Sequence, residues 1–192
     1  MLKHLRVILA VICIGIVTSG CISPVVTGAS LIYDRHQVCM KMDDVSLGAH
    51  AQRALYKDKT FKCRACDLGV AIFHRDLLLI GNVPSHALQK EAYRRMQVLP
   101  DHRRLFLQLG VNTPPDDPVD DTWITTKIRG QILADSSIDP HQFKIVTYNR
   151  VVYVMGEVMP EQAAIVIQIA RECAGVKRVV KLMTYYHISN HP

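Results

Sequence analysis

The fold class predicted by the sequence is α+β: two tandem αββαβ domains, each a three-stranded mixed sheet covered by two helices. Three observations lead there. A pattern of apolar residues recurs at an offset of 75 to 77 positions. Within each copy, stretches of helical period alternate with short β-branched and aromatic runs. A segment rich in Pro and Asp separates the copies. The chain has 192 residues, 49% apolar and 21% charged, which is too apolar for a disordered chain and long enough for one ordinary domain or two small ones. Ten Gly and nine Pro exclude a collagen-like or low-complexity chain. The only continuously apolar run lies near the N-terminus, so a polytopic membrane protein is excluded.

Residues 1–20 read as a secretory signal peptide. Lys3 and Arg6 form its basic start, Val7 to Val17 an apolar run of 11 residues too short to span a bilayer, and Thr18-Ser19-Gly20 a small-residue step. Cys21 stands where a bacterial lipoprotein is cut and acylated. The tripeptide before it resembles a lipobox, with Thr18 in place of the usual Leu. Acyl chains on Cys21 would hold the protein at a membrane, each buried CH₂ contributing about 0.8 kcal/mol. Ile22 is not the Asp that retains enteric lipoproteins at the inner membrane, so the expected location is the outer membrane, lipid-anchored on its periplasmic face. A cut elsewhere, with Cys21 lost or structural, is the competing reading. Without residues 1–20 the chain keeps 21 basic and 17 acidic residues, a net charge of +4. That suits anionic headgroups, whereas secretion removes nucleic acid as a partner. Residues 21–42 read as lipidated N-terminus and tether.

The first domain is placed at 43–110. A helix is expected over 44–60 with Leu47, Ala51 and Leu55 on one face, strands over 67–73 and 77–83, a helix over 85–99 and a strand over 103–109. Gly110 to Pro118 cannot propagate helix or sheet, which sets a stiff linker at 111–120. The second domain occupies 121–192. Asp121 or Thr122 is expected to cap a helix carrying Ile124, Ile128 and Ile132 and stopping near Asp139-Pro140. Phe143 to Tyr148 and Val151 to Val158 are strands joined by a tight hairpin at Asn149-Arg150. A helix over 159–174, Gly175 as its stop and a strand over 176–188 complete the unit. Leu77–Val83 matches Val152–Val158 at an offset of 75. At the same offset Ala92 meets Ile167, Arg103 meets Arg178, and Leu105 and Leu107 meet Val180 and Leu182. Upstream, Asp44, Leu47, Ala51, Leu55 and Asp58 meet Asp121, Ile124, Ile128, Ile132 and Asp135 at an offset of 77.

Val152–Gly156–Val158 and Gly175-Val176-Lys177-Arg178-Val179 resemble the BON domain. With the lipobox-like start and Asp121-Thr122-Trp123-Ile124-Thr125-Thr126-Lys127, the whole resembles the dual-BON-domain outer-membrane lipoproteins of Gram-negative bacteria. The likeness is weaker in the first unit, where Pro100-Asp101 replaces the Gly-Val turn. The resemblance implies a small mixed sheet with two helices per domain, outer-membrane anchoring, and support of envelope integrity through phospholipid binding by the second domain.

The repeat supplies an internal control. At about 100° per residue, the stripe opposite the core face of the first helix is Ser46, His50, Arg53 and Lys57 in one unit, and Trp123, Lys127, Gly130 and Ala134 in the other. Thr126 and Leu133 flank the second stripe. Indole is favoured at a membrane interface and a lysine beside it can reach a phosphate, so these six residues form the candidate phospholipid site on an anionic membrane. Packing of Trp123 on the linker or the other domain is the alternative from residue chemistry, as is an adaptor in which the same stripe grips an envelope protein. Ile165 and Ile169 lie away from Ala163, Val166 and Ala170 and extend the patch or meet the other domain.

Nothing in the chain reads as an active site. The nine His show no H-E-x-x-H pattern, and there is no Ser nucleophile elbow and no Gly-rich phosphate loop. No cofactor is expected. Cys63-Arg64-Ala65-Cys66 has the C-x-x-C spacing, but it precedes a strand rather than opening a helix and lacks two further zinc ligands. A disulfide between two of Cys39, Cys63 and Cys66 is the plainer reading in an oxidising compartment, with metal binding, redox chemistry and free thiols as alternatives. His50 and His74 have no ligand spacing. Cys173 reads as a buried small hydrophobe. Asp116, Asp117, Asp120 and Asp121 lack the ladder of a calcium loop and read as a solvated linker that caps the next helix. Gly81 and Gly156 read as turn residues, and Arg94, Arg95, Arg103 and Arg104 as a solvated basic face.

Overall fold

The computed structural model describes residues 28–113 and 118–186, with side chains over 41–113 and 120–186. The chain divides into Met1–Val38 and Cys39–Pro192. The element order is α1 (Gly28–Tyr56), β1 (Asp67–Phe73), β2 (Asp76–Val83), α2 (His86–Gln97), β3 (Arg104–Val111), α3 (Pro118–Ala134), a short 3₁₀ turn (Pro140–Gln142), β4 (Phe143–Tyr148), β5 (Val151–Val158), α4 (Pro160–Glu172) and β6 (Arg178–Tyr185). The described chain is thus α+β with two three-stranded sheets, ordered β1-β2-β3 and β4-β5-β6. In each, the hairpin pair is antiparallel and the pair closed across the helix is parallel, since a parallel neighbour needs a crossover long enough to return the chain.

Both hairpins turn on two consecutive residues of positive φ, His74 and Arg75 (47° and 63°) and Asn149 and Arg150 (50° and 60°), the two-residue turn whose twist matches the strands. Each turn is held by the first helix of its half. Asp44 accepts the N–H groups of His74 and Arg75 at 2.9 and 2.8 Å, and Asp121 accepts those of Asn149 and Arg150 at 2.7 Å each. Asp121 is therefore not a helix cap: α3 begins at Pro118, and the carboxylate reaches across to the hairpin.

Each half has a core between its helices and one sheet face. Leu47, Ala51, Leu55, Leu77, Leu79, Ala92 and Met96 fill one, and Ile124, Ile128, Ile132, Val152, Val154, Val166 and Ala170 the other. The opposite sheet faces meet each other, with Ala71, Leu78 and Ile80 buried against Tyr153, Met155 and Leu182. All eight residues of β2 are buried, because both of its faces are covered. Lys144 Nζ donates to Ile72 O at 2.8 Å across this junction, and burial pushes its ammonium below the usual lysine range. Arg103 bridges Glu157 at 3.0 Å while it and Arg104 both hold Asp76, which is 1% exposed.

Several expectations are corrected. Helix α1 starts at Gly28, inside the segment read as tether. Strand β3 runs on to Val111, pairing Gly110 and Val111 with Asn82 and Val83, so the linker is shorter than the composition suggested. Leu77 and Val152 pair with Leu105 and Val179, which sets the offset of the last strands at 74 rather than 75. Arg104, Leu105, Phe106 and Leu107 are thus the counterparts of Arg178, Val179, Val180 and Lys181. Gly81 and Gly156 lie within strands, not at turns. A Cβ on Gly81 would stand 2.0 Å from Asp67 O, and one on Gly156 2.8 Å from Gln142 O, so close main-chain approach excludes a side chain. Ile165 and Ile169 pack on their own core. Of the four arginines read as a solvated face, Arg95 departs from it, being 5% exposed and bonded to Asp58 and Glu91; Arg94 is exposed and paired with Glu91, and the partly exposed Arg103 and Arg104 meet at Asp76.

Candidate membrane-facing site

Helix α3 owes its orientation to three anchors on its inner side besides the isoleucine stripe. Asp121 holds the hairpin, Thr125 Oγ1 meets Thr147 Oγ1 at 2.7 Å, and Arg129 Nη2 donates to Ile145 O at 2.8 Å. Asp120 adds an ion pair with Arg150 at 2.7 Å. With Ile124, Ile128 and Ile132 at 0–3% exposure, the rotation of the helix is fixed and its other side is left outward.

That outer side carries every residue of the candidate site. Trp123 is 50% exposed and Leu133 74%; Thr126, Lys127, Gly130 and Ala134 are exposed too. Lys127 Nζ lies 4.7 Å from the centroid of the Trp123 ring, a cation–π pair that keeps indole and ammonium side by side. Thr126 Oγ1 is turned back on Thr122 O at 2.9 Å. A Cβ on Gly130 would meet nothing within 4 Å, so packing does not require this glycine. A mid-helix glycine is destabilising by about 0.5–1 kcal/mol relative to Ala. The side chains at 123 and 133 flank a low stretch in which the helix backbone itself is open to a large, flat neighbour.

In the first half, Ser46, His50, Arg53 and Lys57 are exposed and polar. Met42 and Val45, 66% and 72% exposed on α1, were not singled out from the sequence. Met42 falls at the end of the segment taken for tether and Val45 at the start of the expected first helix, though their spacing of three on a helix would have placed them on one face.

Cys63 and Cys66 form a disulfide with a Cα–Cα distance of 5.1 Å, closing the loop before β1. Helix α1 contains Cys39, whose side chain lies outside those described, and Cys21 lies outside the described residues altogether. Cys173 is buried and free, its thiol pushed up by desolvation. Among the described residues no group of three His, Cys, Asp or Glu could hold a metal ion. Asp120 and Asp121 are engaged by Arg150 and the hairpin, whereas Asp116 and Asp117 lie outside the described residues. Among the described residues no helix is long and apolar enough to cross a membrane.

Comparison with known proteins bears on the second half in particular: residues 120–185 match the family model of the BON domain. Over 96% of both chains, the protein is 25% identical to outer membrane lipoprotein DolP of Haemophilus influenzae. It is 27% identical to the 21 kDa hemolysin of Actinobacillus pleuropneumoniae, over 76% of this chain and 75% of that one. Among solved structures, CdsD of the type III secretion system of Chlamydia trachomatis is 10% identical with a TM-score of 0.31, over 72% of this chain and 91% of that one, a likeness too slight to bear on function.

Proposed function

We propose that this chain is a lipid-anchored protein of the outer membrane, facing the periplasm, whose BON domain binds anionic phospholipid through the outer face of α3 and so supports envelope integrity without catalysing a reaction. Similarity along nearly the whole chain to an outer membrane lipoprotein supports the location, and Cys21 is the residue that would carry the acyl chains. The first half repeats the αββαβ order of the second, which supports reading it as a second BON domain.

The observation that carries the proposal is the exposed Trp123 with Lys127 over its ring. An indole places an apolar body and a polar N–H at the boundary between acyl chains and headgroups. Lys127 extends a flexible stem whose ammonium can leave the ring for a lipid phosphate. Gly130 and Ala134 let the helix backbone approach the surface, while Leu133 offers a second apolar contact. A basic residue near an anionic leaflet contributes on the order of 1 kcal/mol. The site is thus weak alone, and a tether that holds it at the bilayer raises its effective concentration.

The test is co-sedimentation of the mature chain bearing Cys21→Ser with vesicles of phosphatidylglycerol and phosphatidylcholine. The expected result is binding that Trp123→Ala strongly weakens with an unchanged melting temperature. Binding that the substitution leaves undiminished, or that appears only when an envelope protein is added, overturns the proposal and favours the adaptor reading.

A further inference from the structure

The charge of the chain left after residue 20 is unevenly placed. Residues 50–66 hold five of its 21 basic residues and one of its 17 acidic ones, so sixteen of each stand elsewhere and the whole excess of +4 belongs to this segment. The balanced remainder includes Asp34, Asp116 and Asp117, whose side chains lie outside those described. Arg53, Lys57, Lys59, Lys62 and Arg64 are all exposed, and among the described residues none of them has an ion pair or a side-chain hydrogen bond. The single acid, Asp58, is committed to Arg95 of α2 at 2.7 Å. The frame beneath the cations is firm. Phe61 is 2% exposed, with the Arg95 guanidinium 5.0 Å from its ring centroid, and the Cys63–Cys66 disulfide closes the loop on either side of Arg64. The second half shows that the fold does not ask for these charges. Thr60 N–H donates to Asp58 as Ser137 N–H does to Asp135, both at 2.9 Å, so the two turns correspond, and the places of Arg53, Lys57 and Lys59 are taken there by Gly130, Ala134 and Ser136.

Direction follows from the layers. The two sheets meet through Leu78 and Ile80 against Tyr153 and Met155, and each carries its helices on its other face. The outer sides of α1 and α3 therefore lie on opposite sides of the molecule, and with α3 on the membrane Arg53 and Lys57 look into the periplasm. No large hydrophobic side chain is exposed between residues 50 and 66, whereas the buried centre of a protein interface is poor in Lys and rich in aromatic contacts. A surface of flexible cations without an apolar element suits a polymer of repeated negative charge, which it attracts over a wide area. We propose that this face binds the carboxylates of the cell-wall peptide stems, so that the chain bridges the outer membrane and the glycan–peptide polymer beneath it. The proposal rests on the outer-membrane location and the α3 contact argued above.

The test pellets the mature lipidated chain, in neutral detergent micelles at low ionic strength, with purified peptidoglycan sacculi. The expected result is retention that the double variant Arg53→Gln, Lys57→Gln weakens about tenfold, as the loss of two cations beside an anionic surface should. The double variant Arg171→Gln, Lys181→Gln, which removes two exposed cations elsewhere, should leave retention within about twofold, and both should melt with the parent. Sacculi whose carboxylates have been amidated should retain the chain about tenfold less. Trp123→Ala should weaken binding to anionic vesicles and leave retention on sacculi unchanged, so that failure of the lipid contact and failure of this one are read apart. Equal losses in the two double variants, full retention on amidated sacculi, or no retention on untreated ones would each overturn the proposal. So would a loss on vesicles by Arg53→Gln, Lys57→Gln as large as its loss on sacculi, which would turn the basic face to the lipid.

Discussion

Asp121 and Arg150 are joined across the second half by a hydrogen bond of 2.7 Å from the Arg150 main-chain N–H to the Asp121 carboxylate, and the same carboxylate holds Asn149. The pair ties α3 to the hairpin whose two residues adopt positive φ. Charge-assisted hydrogen bonds contribute about 1.5–3 kcal/mol each when lost from a partly buried site. Asp121→Ala is therefore expected to lower stability by on the order of 2–4 kcal/mol, and Asp44→Ala to act similarly through His74 and Arg75. Urea denaturation of both variants checks this, and a loss below about 0.5 kcal/mol would show the hairpins to be self-sufficient.

Much of this architecture was legible because strands are short runs bounded by turns. Phe143–Tyr148 and Val151–Val158 begin and end as the sequence indicated, since β-branched residues stop at Asn149-Arg150. The pairing of Asp44 with Asp121 at an offset of 77 was visible as a coincidence, and only the coordinates show its cause. The one-residue slip at the last strands stayed hidden because Arg103 and Arg104 are adjacent, so either can be laid on Arg178. Packing of one sheet on the other was missed although a signal existed: Leu77-Leu78-Leu79-Ile80 is continuously apolar, the mark of a strand covered on both faces. At the candidate site, the exposure of the Trp123 stripe followed from helical period, whereas the anchors Thr125 and Arg129 did not, because their partners Thr147 and Ile145 lie on another element.

Gly130 separates structural from surface roles. Its Cβ position is empty, so Gly130→Ala should stabilise the protein by about 0.5–1 kcal/mol. Gly130→Glu should leave stability within about 0.5 kcal/mol yet weaken vesicle binding severalfold by setting a negative charge against an anionic surface. Thermal melts beside co-sedimentation decide it. Unchanged binding by the Glu variant would place the membrane elsewhere.

Acid should loosen the molecule through its arginine-held carboxylates. Burial raises Asp76, but the hydrogen bonds of Arg104 and Arg103 outweigh it and hold the carboxyl below its ordinary value. Arg94 and then Arg95 hold Glu91 down to about 2. For groups depressed on folding, the stabilisation is complete above the unfolded pKa and is lost as pH falls through the folded value. The melting temperature should thus be level above roughly pH 5 and fall steadily from about pH 4 toward pH 2. Asp76→Asn should be destabilising at neutral pH by on the order of 3–5 kcal/mol, since Arg103 and Arg104 lose their buried partner, and should flatten the acid slope. A slope unchanged in that variant would assign the acid sensitivity to other carboxylates.

Salt distinguishes the two parts of the candidate membrane site. Lys127 acts by charge, so Lys127→Ala should weaken binding to anionic vesicles by about 1 kcal/mol at low ionic strength, roughly fivefold. The loss should vanish near 1 M salt, where the Debye length is about 3 Å. Trp123 acts through apolar area, which salt does not screen, so the Trp123→Ala deficit should persist at high salt. The two residues also touch through the cation–π pair, and their deficits need not add. In the bound state the ammonium moves from the ring to a phosphate, so each single variant escapes the cost of breaking the pair, and the double variant should lose more than the sum of the single losses at low salt but no more than Trp123→Ala alone at high salt. Equilibrium binding of the four proteins at two salt concentrations measures this. A Trp123→Ala deficit that disappears with salt would mean that the indole serves only to position Lys127, and would recast the site as purely electrostatic.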